Sequence, residues 1–210
     1  NVCNTLDVDA RKVLEILCMD RELNISDAYM MPGLPFGGSC LPKDLDTLLQ
    51  YAKSSDVQIP MMSGIFQSNS LQINQIYDLL RARQPASIAI LGLTFKSNTD
   101  DLRNSSMVNI ARKLIDSGVT VKIFDRNLRT DSLIGQNRLV MEEELPELPT
   151  LIQHSLKNTL EDVDIIVIAH SSYGSDLESE ELRGHQVVVD LVGIDDRSFG
   201  QDIFVEGLYW

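Results

Sequence analysis

The spacing of apolar positions changes character about two fifths of the way along the chain. From Val2 to Asn24, Leu6, Val13, Leu14, Ile16, Leu17 and Leu23 recur at helical intervals. They predict two short helices broken near Asp7 to Asp9, with Asp9 the N-cap of the second. Ser26 to Pro35 reads as loop, with turn signals at Pro32 and Gly33. Pro42 suits a first helical turn, and Leu45, Leu48, Leu49 and Tyr51 carry that helix to about Ser54-Ser55. A longer helix is predicted from Pro60 to about Arg83, spanning roughly 35 Å at 1.5 Å per residue. Its middle, Gln67-Ser68-Asn69-Ser70, is polar. That stretch fits either an ordinary core helix with a solvated face or a subunit interface.

Beyond Gln84-Pro85 the helical spacing gives way to continuous apolar runs. Ser87 to Phe95 has strand length, followed by an amphipathic helix over Ser105 to Ser117 that Gly118 stops. Val119 to Phe124 is a second strand, Leu156 to Val163 a short helix, and Asp164 to Ala169 a third strand. Leu177 to Leu182 is a weak helix and Gln186 to Val192 a fourth strand. Arg129 to Thr150 is poorly periodic and acidic, predicting loop with some helix. Nearly all-apolar strands alternating with helices predict an α/β fold with a parallel sheet covered on both faces. Two units follow, a helical region over 1–84 and a Rossmann-like sheet domain over 85–210.

Composition narrows the function. The net charge of −13, with acidic clusters at Glu142 to Glu144 and Glu178 to Glu181, argues against nucleic acid or anionic lipid as a partner. No apolar run approaches a membrane span, and no signal-peptide pattern opens the chain. The three cysteines, Cys3, Cys18 and Cys40, have no framework spacing and no accompanying metal pattern, which suits a reducing cytoplasm. The chain opens with Asn1 inside a predicted helix, as expected for a piece of a longer protein.

The densest chemistry lies in Phe36-Gly37-Gly38-Ser39-Cys40-Leu41-Pro42-Lys43-Asp44. Pro35 and the glycine pair mark an irregular loop where backbone can approach a ligand closely. Cys40 falls at or just before a helix N-terminus, where the dipole and unpaired N–H groups favour a thiolate. Lys43 adds a positive charge, and Asp44 can hold or deprotonate a water. The opposing reading is a small buried cysteine with no chemistry.

The first strand of the sheet lacks the Gly-x-Gly-x-x-Gly phosphate fingerprint; only Gly92 stands there. In its place Phe95 to Arg103 offers Lys96 and Arg103, which can meet phosphates by charge, or be two ordinary surface cations. Asp125 closes the second strand, where such folds often carry a ribose-binding acid.

The nine residues Phe36 to Asp44 resemble the active-site signature of the nucleotide-sugar 6-dehydrogenases, the UDP-glucose and GDP-mannose dehydrogenases. Gly92 to Lys96 and Thr99 to Ser105 resemble that family's C-terminal nucleotide-sugar domain. Val189 to Gly193 and the terminal Gly207 to Trp210 are most similar to its GDP-mannose members. The resemblance runs over almost the whole chain in consistent order. It implies a central helical dimerisation region over 1–84 carrying the thiol loop, and a nucleotide-sugar-binding domain over 85–210. A cofactor-binding Rossmann domain and part of a central helix would lie upstream of Asn1, so this chain alone is expected to be inactive.

The activity so implied is oxidation of a sugar C6 hydroxyl to a carboxylate with two NAD⁺, GDP-mannose to GDP-mannuronate being favoured over a UDP-glucose type reaction. Cys40 would capture the intermediate aldehyde, and Asp44 would assist hydrolysis of the thioester. Lys43 and Arg103 would touch NAD. Lys96, Tyr29, Phe36, Gly37 and Phe95 would hold the nucleotide sugar, in a homodimer. Met31 stands where GDP-mannose enzymes carry an arginine, and Ala28 where an aromatic is common. Both departures bear on the sugar nucleotide more than on the family. Two rivals remain from other classes: a non-catalytic nucleotide-binding and dimerisation module, and a flavodoxin-like signalling domain of the response-regulator kind. The second leaves Pro35 to Asp44 without a role.

Overall fold

The structure is a computed structural model that describes residues 3, 6, 8–21, 30, 32–194, 199 and 203–208. Among the described residues, three full helices precede the sheet. Asp9 caps α1 (Ala10–Cys18), its carboxylate accepting the Arg11 N–H at 2.9 Å. α2 (Leu41–Ser54) carries Pro42 in its first turn, where a missing N–H costs nothing. α3 (Pro60–Ala82) begins the same way and runs 23 residues. The earlier of the two predicted N-terminal helices lies largely outside the described residues.

The sheet domain runs β1 (Ser87–Leu91), α4 (Ser106–Asp116), β2 (Thr120–Phe124), α5 (Gly135–Glu144), α6 (Leu148–Leu151), α7 (Leu156–Leu160), β3 (Ile165–Ile168), α8 (Gly174–Leu177), β4 (Val187–Asp190) and β5 (Phe204–Gly207). All pairs are parallel in the order β2-β1-β3-β4-β5. Ile88 sits opposite both Val121 and Ile165, which fixes the register at the centre. Side chains alternate between two covered faces, so the strands read as unbroken apolar runs. Ile88, Ile90, Ile123 and Val167 pack under α4, with Ile76 and Leu80 from the C-terminal half of α3 in the same cluster. Ala89, Leu91, Ile166 and Ile168 pack on the other face with Tyr173 and Leu177. α3 is therefore the joint between the helical region and the sheet.

Three expectations need correction. The first strand ends at Leu91, not Phe95, because Leu93 and Thr94 leave the ladder to bond Asp125. The weak helix expected over Leu177 to Leu182 instead ends at Leu177. Ser179 there bonds the Asp176 carbonyl through both its N–H and its hydroxyl, tightening the turn. The edge strand β5 gave no signal, since Phe204-Val205-Glu206-Gly207 is too short and mixed to show a period. No helix among the described residues is long and apolar enough to cross a membrane.

Candidate active site

Cys40 is the N-cap of the 14-residue α2 and is exposed. Its side chain makes no cap hydrogen bond, and its sulfur lies 3.6 Å from Ser39 Oγ. The Cys40 carbonyl accepts the Asp44 N–H at 2.9 Å, so Asp44 stands one turn along α2 from the thiol. Lys43 Nζ pairs with Asp44 at 3.3 Å, and both side chains are about 70% exposed (70% and 68%), so the pair is weak and readily broken by a ligand. Cys40 is exposed, so the reading of a buried small hydrophobe does not describe it.

What holds the thiol loop is its seating on the segment between β1 and α4. Gly38 N–H donates to the Arg103 carbonyl, and Asn104 Nδ2 donates back to the Gly38 carbonyl, both at 3.0 Å. A Cβ on Gly37 would lie 2.1 Å from the Asn104 carbonyl oxygen, inside any allowed contact, so only glycine permits this approach. Gly38 has φ +82°, and a Cβ there would meet the Phe95 ring at 2.7 Å. The glycine pair thus lets two backbones touch. It also accounts for the missing phosphate fingerprint: where a glycine-rich turn usually leaves the N-terminal approach of the next helix open, the thiol loop lies against Arg103-Asn104-Ser105. Ser105, the N-cap of α4, is itself committed to Leu93 O and Met107 N.

On the other side the loop is tied to α3. Asn69 Oδ1 accepts the Phe36 N–H at 2.8 Å, and Asn69 Nδ2 donates to the Phe36 carbonyl at 3.0 Å. The Phe36 and Phe66 rings pack with centroids 6.1 Å apart.

Arg103 binds Asp101 with two parallel bonds, Nε to Oδ1 at 2.8 Å and Nη2 to Oδ2 at 2.7 Å. The hydrogen bond from Arg103 holds Asp101 below the usual carboxylate range despite partial burial. The Arg103 guanidinium is raised in turn, chiefly by its hydrogen bond to Asp101. Its Nη1 edge makes no bond to Asp101. Lys96 is exposed and makes no ion pair among the described residues, while its carbonyl accepts the Thr94 and Thr99 hydroxyls. Tyr29, Ala28 and Met31 lie outside the described residues.

Asp125 does not have the role its position suggests. Its Oδ2 accepts Leu93 N–H, Thr94 N–H and Thr94 Oγ1, and its Oδ1 accepts Asn127 N–H. It is 4% exposed and organises the turn after β1 rather than facing a ribose. From β1 the chain steps to β2 on one side and later to β3 on the other, so the switch point lies between the carboxyl ends of β1 and β3. His170 stands there, buried, its Nε2 2.9 Å from the Thr94 carbonyl and its ring against Gly92. At the end of β4, Asp190 gathers Val192 N–H and Gly193 N–H at 2.9 Å and Ile194 N–H at 2.7 Å, closing a tight turn. Sequence reasoning does not reach Asn69, Asn104, His170 or Asp190 as site residues. Asn104 and Asp190 do lie inside motifs noted above, and Asn69 inside the polar middle of α3.

Residues 89–197 match the UDP-glucose/GDP-mannose dehydrogenase family, UDP binding domain, and residues 1–71 match the central domain of the same family. The chain belongs to this family. GDP-mannose 6-dehydrogenase of Pseudomonas putida is 34% identical over 210 residues, covering 100% of this chain and 48% of that protein. Among solved structures, a ternary complex of GDP-mannose dehydrogenase from Pseudomonas aeruginosa superposes with a TM-score of 0.77 at 34% identity, over 100% of this chain and 48% of that one. A UDP-glucose dehydrogenase from the archaeon Pyrobaculum islandicum gives a TM-score of 0.78 at 27% identity, over 98% and 45%. The chain spans about half the length of the curated relatives it matches. In this member of the family, the thiol loop, within the stretch that matches the central domain, and the β1–α4 segment, within the stretch that matches the UDP binding domain, meet at Gly37 and Gly38.

Proposed function

We propose that this chain is the central and C-terminal part of an NAD-dependent nucleotide-sugar 6-dehydrogenase that oxidises the C6 hydroxyl of GDP-mannose to a carboxylate. The observation that carries the reading is the seating of the thiol loop on Arg103-Asn104, which presents an exposed Cys40 at a helix start beside a segment whose exposed Lys96 and Arg103 Nη1 edge can meet a diphosphate. The GDP-mannose 6-dehydrogenase relatives support the choice of sugar nucleotide.

Bound NAD⁺ would supply the hydride acceptor for each oxidation. Lys43 Nζ and the Nη1 edge of Arg103 offer donors suited to its pyrophosphate from one side of the thiol. Asp125 is engaged on both oxygens, so this sheet does not offer a ribose acid. The chain's own residues act on the sugar. The Cys40 thiolate adds to the C6 aldehyde carbon, a C–S bond forms, and the carbonyl oxygen takes a proton to give a thiohemiacetal. Loss of hydride from that carbon to the acceptor, together with release of the hydroxyl proton to solvent, would leave a thioester. A water held by Asp44 attacks the thioester, the C–S bond breaks, and the carboxylate leaves while Cys40 returns. Lys96, Phe95, Tyr29 and the backbone of Phe36 and Gly37 would hold the nucleotide sugar.

The same reading makes the protein a cytoplasmic homodimer paired through α1, α2 and α3, whose Ile16, Tyr51 and Met61 are well exposed. Two measurements test it. Iodoacetamide should alkylate Cys40 faster at neutral pH than Cys3 or Cys18, and equal rates would count against an activated thiol. In the intact parent, Cys40→Ser should abolish carboxylate formation; unchanged NADH production would eliminate the covalent role. Calorimetry with GDP-mannose against UDP-glucose on the same protein decides the nucleotide.

A further inference from the structure

A loop without regular structure must satisfy its backbone groups one at a time. At Phe36 one side chain does so for both, since the Asn69 carboxamide accepts from the N–H at 2.8 Å and donates to the carbonyl at 3.0 Å. At neutral pH, where carboxyls are ionised, only a carboxamide places an acceptor and a donor side by side in a plane. Asparagine is a poor residue for the interior of a 23-residue helix, so helix stability does not explain it there. Asn69 is half-buried, so it is not simply part of a solvated face. Two residues further on, Gly38 is fixed from the opposite bank by Arg103 and Asn104. The thiol loop is therefore pinned at two points either side of Gly37, and together they set where Ser39 and Cys40 emerge at the start of α2.

We propose that Asn69 is a positioning residue for the Cys40 thiol, acting through the Phe36 backbone, and that its double hydrogen bond aims the sulfur at the aldehyde carbon. This rests on the reading of Cys40 as the nucleophile. Asn69 reaches the loop from α3, whereas Lys96 and Phe95 hold the nucleotide sugar from the sheet domain, so losing the clamp misplaces the sulfur more than it loosens a nucleotide that the Phe36 backbone holds only in part. A displacement of the order of 1 Å slows capture by about 10- to 100-fold. The uncaptured aldehyde can then escape.

The test uses the intact parent enzyme with GDP-mannose and NAD⁺, and UDP-glucose as a second arm. Asn69→Ala should lower kcat by about 10- to 100-fold with a smaller rise in KM, the part owed to the Phe36 backbone. Semicarbazide should trap aldehyde, and NADH formed per sugar consumed should fall from two towards one. Asn69→Asp should show a distinctive pH profile. Its protonated carboxyl can both accept from Phe36 N–H and donate to Phe36 C=O, while its carboxylate repels that carbonyl. The Cys40 alkylation rate, taken as a ratio to wild type, should therefore recover as pH falls. If Asn69→Ala lowers only melting temperature, with wild-type kcat and no trapped aldehyde, the positioning role is overturned. Should Asn69→Ala not fold, a pH-independent alkylation ratio for Asn69→Asp overturns it equally. Cys40→Ser separates the two claims. If it remains fully active, the nucleophile reading falls and takes this inference with it. If it is inactive while Asn69→Ala behaves as wild type, the positioning inference alone falls.

Discussion

The helical region and the sheet domain satisfy their apolar residues to very different degrees. Every residue of β3 is buried, and Ile88 to Leu91 of β1 are 0% exposed. By contrast α1 buries only Cys18 fully and α2 only Leu45 and Ala52, while Ile16 is 69% exposed, Tyr51 72% and Met61 76%. α3 shows both states along its length, with Ile76 and Leu80 in the sheet's core and Met61 and Leu71 open. The sheet domain is closed around its own core. The helical region leaves apolar surface exposed, and the thiol loop crosses between them. The nucleophile proposed above, placed at such a seam, would depend on both sides for its aim.

The largest effect separating the two regions should come from the sheet's core. Ile90 packs between Ile123 and Val167 across the parallel ladder. Ile90→Ala removes buried methyl groups with little room to collapse and should cost about 2–5 kcal/mol. Urea unfolding followed by far-UV circular dichroism reads this directly. A loss below about 1 kcal/mol would mean that the core is far less closely packed than the ladder implies.

Next comes the seam itself. Gly37→Ala places a methyl 2.1 Å from the Asn104 carbonyl oxygen, which is backbone and cannot swing away. The loop must lift, breaking the Gly38–Arg103 and Asn104–Gly38 bonds, at about 1–3 kcal/mol. The expected signature is local: faster proteolysis between residues 33 and 40 and a changed alkylation rate at Cys40, with the unfolding midpoint of the sheet moved much less. A Gly37→Ala protein with native proteolysis and native alkylation would break the account of the glycine pair.

Much of this is legible in the sequence, for physical reasons that differ by element. The long helices and inner strands announce themselves because burial imposes a period, 3.6 in α3 and an unbroken apolar run in β1 and β3. The Asp9 cap follows from local chemistry. The signature around Cys40 names the nucleophile candidate but not its support. Asn69 lies 33 residues from Phe36, and Asn104 lies 66 from Gly38, so no local rule connects them. Asp125 defeats the sequence reading because position at a strand end indicates where a ligand can sit, not whether the carboxylate is already engaged. β5 is short and at an edge, where half-exposure erases the pattern.

Asp190 gives a smaller effect that depends on pH. Burial raises its pKa, and the N–H groups of Val192, Gly193 and Ile194, with the charge of Arg11 on α1, pull partly the other way. A carboxyl raised in the folded state binds its proton more tightly there than when unfolded. Its contribution is therefore fully present below the ordinary aspartate pKa and is lost as pH rises through the folded value. Unfolding free energies measured over that window should carry this slope in the wild type and lack it in Asp190→Asn. Identical slopes in both proteins would mean that Asp190 is not the group responsible.

The smallest expected change in stability is on the open face. Met61 lies beside Gly64 and Ile65 on a shallow groove of about 580 Å³ between α3 and the Gly33 to Phe36 loop. Met61→Ser removes exposed apolar surface and touches no core, so the unfolding free energy of the monomeric chain should move by no more than about 0.5 kcal/mol. If the helical region pairs with a second copy, the same substitution should weaken self-association, seen as a concentration-dependent shift in sedimentation velocity. Ile90→Ala, acting within one subunit, should leave the association of the folded fraction unchanged. A Met61→Ser protein that loses more than about 1 kcal/mol as a monomer would show that α3 is packed within its own chain. The contrast between a self-sufficient sheet and an unpartnered helical face would then have to be abandoned.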